Sequence, residues 1–380
     1  MSYANPANDP SSPGRDLRLD FFRGLALVCV FIDHIPGNLL ADYTVRNLGF
    51  SDASELFVFI SAYTAGLVYM WVMQRDGFAF SSLRIWRRVW QLYVAHFLLL
   101  VVFCTWVGWT SMRFGTPIYV QGMNVASFLQ DPHLTILEAL ILKFQPVYMD
   151  ILPLYIVLLA FFPLVLWLIR QSRWLALAVS LGLYVLVREF QLNLLDYPGG
   201  APWKFNPLAW QLLFVIGASL GASPRGEAFP VPRRRTLLAL AAAYAVFAYV
   251  FTPTAWQYDV NSSLVPSGLK ALLFPIMDRS NLSLWRLTHV LALAYITTYF
   301  LRTDSPLLGW RVVRPLILCG QHSLQIFCLG VLLSLAGWVV MVEVSDSLPF
   351  QFLINAGGIV IMAGVAFLLS LISRATARMP

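Results

Sequence analysis

FQFLINAGGIVIMAGVAFLLSLI, residues 350–372, runs for 23 residues without one acidic or basic side chain. An α-helix rises about 1.5 Å per residue, so this stretch extends ~34 Å. That exceeds the ~30 Å hydrocarbon core of a bilayer. No water is available there to satisfy backbone N–H and C=O groups, so the segment must bond internally as a helix. Working outward, comparable apolar segments cover roughly 17–36, 55–74, 88–109, 150–169, 174–189, 207–222, 236–252, 286–301 and 314–341. A shorter stretch at 134–144, between Asp131-Pro132 and Gln145-Pro146, is too short to span and reads as re-entrant or interfacial. The runs are near 20 residues long rather than alternating ten-residue strands, which excludes a transmembrane β-barrel.

Composition agrees. The 380 residues are 59% hydrophobic and 12% charged, with a mean hydropathy of +0.70. Soluble domains carry about 25% charged residues, so a soluble cytoplasmic enzyme is excluded. The aromatic and apolar content equally excludes disorder. The expected fold class is all-α: a polytopic integral membrane helical bundle of about ten transmembrane helices. The expected organisation is a disordered cytoplasmic tail at 1–16, a single transmembrane domain at 17–373 and a C-terminal tail at 374–380.

The net charge of +7 is first a statement about topology. With ten spans both termini share a side, and 17 of the 26 Lys and Arg fall on that side against eight on the other, with Arg23 inside the first span. The positive-inside rule then places both termini in the cytoplasm, with no support for a nucleic-acid partner. No signal peptide is read, because the first apolar run holds Asp20, Arg23, Asp33 and His34 and no cleavage site follows. The Pro/Arg-rich loop 223–235 is a candidate hinge. Loops 110–149, 190–206 and 253–285 are candidates for an external face that meets a polar substrate. The four cysteines, Cys29, Cys104, Cys319 and Cys328, all lie in apolar runs and read as packing residues; no metal-ligand spacing occurs. Walker, dinucleotide, HExxH and GxSxG motifs are absent.

The first span carries the chemistry. Each ionisable group near a bilayer centre costs on the order of 2.5–3.5 kcal/mol on insertion scales, and this span holds four. Arg23 and His34 are eleven residues apart, about 1100° of helical rotation, so they share a face ~16 Å apart along the axis. Asp20 joins Arg23 on that face at i, i+3 spacing. The plainer reading is a structural Asp20–Arg23 pair and a packed histidine. The functional reading is a polar stripe ending in His34 as general base, which titrates near neutral pH. Asp33 orients His34 only if the helix end relaxes before Pro36-Gly37, since adjacent helical residues point ~100° apart.

Other candidates carry paired readings. Asp52 or Ser54 caps the second span, while Glu55 pairs with an arginine or holds substrate. Arg84, Arg87 and Arg88 either anchor span three at the membrane surface or clamp phosphate, with His96 two turns deeper. His289 and His322 divide between packing and function. Asp150 opens span four, Tyr63 and Tyr155 are candidate donors, and Arg279 and Arg286 are cations beyond the far ends of spans.

Leu19-Asp20-Phe-Phe-Arg23-Gly24, followed by ten residues and His34, resembles the acyltransferase family 3 signature of an Arg and a His on the first membrane helix. The chain is more closely similar to the OpgC family, the membrane succinyltransferases of osmoregulated periplasmic glucans. The likeness is carried by SDASELFVFISAYTAG at 51–66, RVWQLYVAHF at 88–97, YMDILPLY at 148–155 and NPLAWQLLFVIG at 206–217. RLTHVLALAY at 286–295 and LCGQHSLQIFCLG at 318–330 continue it. The chain departs from the broader family at Gln91, where relatives often have Pro, and at Ser61-Ala62-Tyr63, where many have Gly in the middle.

The resemblance implies an inner-membrane enzyme that moves a succinyl group from cytoplasmic succinyl-CoA, its acyl donor substrate, to hydroxyls of a periplasmic β-glucan, with no permanently bound cofactor. It implies a catalytic His34 supported by Asp33, with Arg23 at the donor site, and it leaves a homodimer open. On this basis Arg84, Arg87, Arg88 and His96 are expected at the donor. Tyr63 or Tyr155 is expected to steady the oxyanion. Arg279 and Arg286, with His289 and His322, are expected at the acyl or acceptor end. The competing expectations are an O-acetyltransferase of another surface glycan and a transporter of a small anionic or sugar substrate.

Overall fold

The computed structural model describes residues 16–222, 232–257, 268, 271 and 278–376. The tail expected at 1–16 except Asp16, most of the hinge candidate 223–235, much of the loop 253–285 and the end of the tail 374–380 lie outside the described residues. Among the described residues every regular element is a helix, and two isolated bridges join Phe144 with Tyr197 and Leu195 with Pro202. The helices are α1 (Leu17–Asp33), α2 (Ala53–Asp76), α3 (Phe78–Phe114), the short α4 (Ile118–Gly122), α5 (Ala126–Gln130) and α6 (Pro132–Leu140), then α7 (Ile151–Ala160), α8 (Phe162–Gln171) and α9 (Arg173–Glu189). They continue as α10 (Pro207–Gly221), α11 (Arg235–Gln257), α12 (Leu284–Phe300), α13 (Arg314–Gln321), α14 (Ser323–Glu343) and α15 (Leu348–Thr376).

Every one of the ten apolar segments is helical. Among the described residues five helices are long and apolar enough to cross a membrane: α2, α3, α11 over Arg235–Thr252, α14 and α15. The pair α7–α8, bent by 50°, would make a sixth. α1, α9 and α12 have 17 residues each and α10 has 15. At 1.5 Å per residue these reach only ~23–26 Å, short of the ~30 Å core. Two segments read as continuous in the sequence are broken. The first breaks at Phe161, just before Pro163 in the first turn of α8, where proline cannot donate to the preceding turn. The second breaks at His322, whose φ of −110° and ψ of 38° leave the helical region.

Small residues let the polar stripe of α1 sit inside the bundle. A Cβ on Gly24 would collide with the Leu316 carbonyl of α13, and one on Gly320 with the Asp20 carbonyl of α1. The two backbones are therefore in direct contact. α2 meets α10 in the same way. Gly217 and Gly221 of α10, a small-xxx-small pair, face the carbonyls of Phe59 and Tyr63, and Gly66 of α2 faces Ala218. Where lipid offers no hydrophobic gain, such close approach is what holds helices together. α1 is thus gripped by α13 on one side and packs against α2 and α14 on the others.

Overpacking a tight interface costs about 1–3 kcal/mol. Gly24→Val and Gly320→Val are each expected to lower the melting temperature of the detergent-purified protein. Gly364→Ala, whose Cβ meets nothing within 4 Å, is expected to leave it unchanged.

Candidate active site

The His34 end of the bundle is organised by one cation. Arg286, in the first turn of α12, is buried, with its Nε donating to Glu55 Oε1 at 2.6 Å and its Nη2 to Asp52 Oδ2 at 3.0 Å. Asp52 is also the N-cap of α2. Its Oδ1 accepts from the Ser54 amide at 2.7 Å, while Glu55 Oε2 accepts the Asp52 amide at 2.9 Å. This is a reciprocal capping box. Burial pushes the Asp52 carboxyl up, but Arg279 and Arg286 outweigh it and hold it below the usual carboxylate range. Arg286 therefore has both acids as its partners. His289, one turn further along α12, is likewise engaged: its Nδ1 accepts the Ser51 amide at 3.2 Å and lies 2.7 Å from Ser51 Oγ.

Arg279 is different. It reaches Asp52 at 3.5 Å, donates to Ser54 Oγ at 2.8 Å and lies 4.7 Å from the Phe205 ring centroid. Its side chain is 45% exposed, and it lines a small cavity with His34, Ser54 and Asp150.

His34 caps the C-terminus of α1, with its amide donating to Val30 O. Nδ1 of its ring is buried and has no hydrogen-bond partner among the described residues. The imidazole instead stacks on Tyr148, with ring centroids 4.3 Å apart and planes inclined by 23°. The helix end does relax at His34, yet Asp33 turns elsewhere: its Oδ1 accepts the Thr44 hydroxyl at 2.6 Å, and no hydrogen bond joins it to His34. Thr44 arrives because the chain after Gly37 folds back through two short 3₁₀ turns, Leu39–Tyr43 and Val45–Asn47.

A second cavity of about 190 Å³ lies on the Arg23 side. Arg23, Ser61, Thr64, Tyr69, Arg88, Tyr155 and Ser323 supply its polar lining. Arg23 donates to Thr64 Oγ1 at 2.9 Å and lies 3.8 Å from Asp20, which in turn is 3.5 Å from Gln321 Nε2. Phe57, Ile151 and Phe327 line both cavities, so the two adjoin across an apolar partition of three side chains.

The remaining candidates are placed as follows. Arg84 packs over Phe80 at 5.0 Å, Arg87 is exposed and Arg88 alone of the three lines the cavity. His96 is 1% exposed, both its ring nitrogens lack partners, and it lines neither cavity. Tyr63 lies within electrostatic reach of Asp16 and Arg18, at the end of α1 remote from His34, and lines neither cavity. His322 sits at the α13–α14 break beside Ser323, which lines the Arg23 cavity, but itself lines neither cavity. Tyr148, Thr44, Ser54 and the three partition residues are the contributors that sequence reasoning missed. Only Ser54 carried a signal, its place in the first turn of a capped helix.

A family model described as OpgC protein matches residues 15–374, and the chain belongs to the OpgC family. No curated protein and no solved structure matches it.

Removing one partner of a buried ion pair costs about 3–5 kcal/mol, because a charge is left behind. Arg286→Met is expected to destabilise the detergent-solubilised protein on that scale, read as a fall in melting temperature. Adding Asp52→Asn and Glu55→Gln is expected to recover part of the loss. Arg279→Gln is expected to melt near wild type.

Proposed function

We propose that this chain is a membrane O-acyltransferase that moves a succinyl group from succinyl-CoA to a hydroxyl of a periplasmic glucan. Membership of the OpgC family supports the reaction class. The observation that carries the reading is the pair of adjoining cavities strung along α1, one beside Arg23 and Arg88 and the other beside His34 and Arg279. In this reading the chain shares the acyltransferase family 3 architecture, its ten apolar helices cross the inner membrane and both termini are cytoplasmic. The bilayer thins locally around the 15–17-residue helices.

The Arg23 cavity, at about 190 Å³, is smaller than the ~300–1,000 Å³ of sites that enclose a whole drug-sized ligand. It suits the narrow pantetheine arm, with the nucleotide phosphates left at the mouth near Arg84 and Arg87, where guanidinium groups bond phosphate oxygens in pairs. The ~16 Å axial rise from Arg23 to His34 is comparable to that arm. The thioester then reaches His34 when the partition opens.

His34 Nε2 takes the proton from the glucan hydroxyl as its oxygen attacks the thioester carbonyl carbon. The oxyanion that forms takes a hydrogen bond from Ser54, whose oxygen already accepts from Arg279 and whose own O–H is left to donate. The tetrahedral centre collapses with cleavage of the C–S bond, and the imidazolium returns the proton to the CoA thiolate. The products are an O-succinyl ester, CoA thiol and neutral His34. Arg279, half exposed in the His34 cavity, pairs with the free succinyl carboxylate, while Asp150 accepts from hydroxyls of the sugar.

The test is CoA thiol release by protein in lipid nanodiscs supplied with succinyl-CoA and a linear β-glucan. His34→Ala is expected to lower turnover by roughly 10²-fold or more with unchanged melting, in the range for loss of a general base. Wild-type turnover in that variant would overturn the assignment. Arg279→Gln is expected to raise KM for succinyl-CoA about tenfold, the scale of one charged hydrogen bond, and to leave acetyl-CoA turnover unaffected. Equal effects on both donors would remove the carboxylate role.

A further inference from the structure

A histidine base needs its ring held so that one nitrogen faces the proton it removes. The common device is a hydrogen bond to the other nitrogen. His34 lacks it: Nδ1 is buried without a partner, and the neighbouring Asp33 is committed to Thr44. His34 is also the cap of its helix, with φ of −89° and ψ of 2° outside the helical region. What lies against the imidazole is the Tyr148 ring, 4.3 Å away and nearly parallel.

Tyr148 is delivered there at a conformational cost. Its φ is +70°, in the left-handed region, where a bulky residue is an outlier. Such backbone persists only when its surroundings over-determine it. The surroundings here are specific. Val147 donates its amide to Met123 O at 3.1 Å, Met149 donates to Pro146 O at 3.1 Å, and the Met149 side chain is fully buried. Two residues on, Asp150 enters the His34 cavity and α7 begins. The turn that presents Tyr148 therefore also sets the wall of the site.

We infer that Tyr148 is a positioning residue for His34, fixing the imidazole plane by ring stacking where no hydrogen bond to Nδ1 exists. The ring face also favours the cationic imidazolium formed during transfer. The inference rests on the reading of His34 as the base.

The test uses full-length protein in nanodiscs, with succinyl-CoA and linear β-glucan as probes. Tyr148→Asn and Tyr148→Gly remove the ring while suiting the left-handed backbone, so the turn is expected to fold as before. Each is expected to lower kcat about tenfold or more, as a misplaced catalytic group does, with KM for both substrates within about twofold. Tyr148→Phe and Tyr148→Trp keep an aromatic face and are expected to restore kcat to within about threefold of wild type. Wild-type kcat in a ringless variant would overturn the inference. So would a fall in folded Tyr148→Phe as deep as in Tyr148→Asn, which would make the hydroxyl the working group. His34→Ala in the same assay separates the two levels. Activity there sinks the reading of the base itself. A dead His34→Ala beside a wild-type Tyr148→Asn sinks only the positioning role.

Discussion

Arg286 sits between Asp52 and Glu55 with almost no access to solvent. A guanidinium so enclosed is tolerable only because two carboxylates and their hydrogen bonds replace its hydration shell. The same contact joins three things: the start of α12, the N-terminus of α2 and the cap that satisfies the first amides of α2. It also determines the fate of the neighbouring cation. With Asp52 already engaged by Arg286, Arg279 keeps a longer contact to it and stays half exposed in the cavity. The distribution of charge around His34 follows from that one buried triad.

The second constraint is the grip on α1. A helix bearing Asp20, Arg23 and His34 would be expelled toward an aqueous edge unless neighbours covered it closely. Gly24 and Gly320 allow that by bringing carbonyl oxygens of α1 and α13 against each other's backbones. Arg23 can then lean toward Thr64 of α2, and the space left beside it becomes the larger cavity. Site and packing are one arrangement: the small residues that close the helix pair also set where the polar face opens.

The apolar segments were legible from length and hydropathy alone, because a bilayer imposes a long uncharged run on any single helix that spans it. The breaks were less legible. Pro163 marked one of them, although the apolar run continues across it; near His322 the glycine, Gly320, lies inside α13 and packs against α1. The first-span stripe of Asp20, Arg23 and His34 could be read from helical periodicity, which fixes faces within one helix. Partners between helices could not. Arg279 and Arg286 look alike in sequence, and only the register of α12 against α2 separates a buried clamp from a half-free cation. Asp33 looked like the partner of its neighbour. The fold-back through Thr44, 11 residues later, supplied a better-placed donor, and periodicity does not describe 3₁₀ turns. Tyr148 was invisible because its role depends on a left-handed backbone at a residue type that rarely adopts one.

The three side chains shared by the two cavities, Phe57, Ile151 and Phe327, bear on the cell's energy supply. A continuous file of water through a bilayer conducts protons, and a conducting path dissipates the ion gradient that a bacterial membrane maintains. A single layer of hydrocarbon interrupts such a file without any charge or metal. The layer is made of side chains on α2, α7 and α14 rather than of backbone, so on the proposed reading rotamer changes would open it to a slender acyl carrier, whose own bulk would then fill the opening. Under the proposed function, such a partition would insulate the membrane electrically between turnovers, when nothing else occupies the passage.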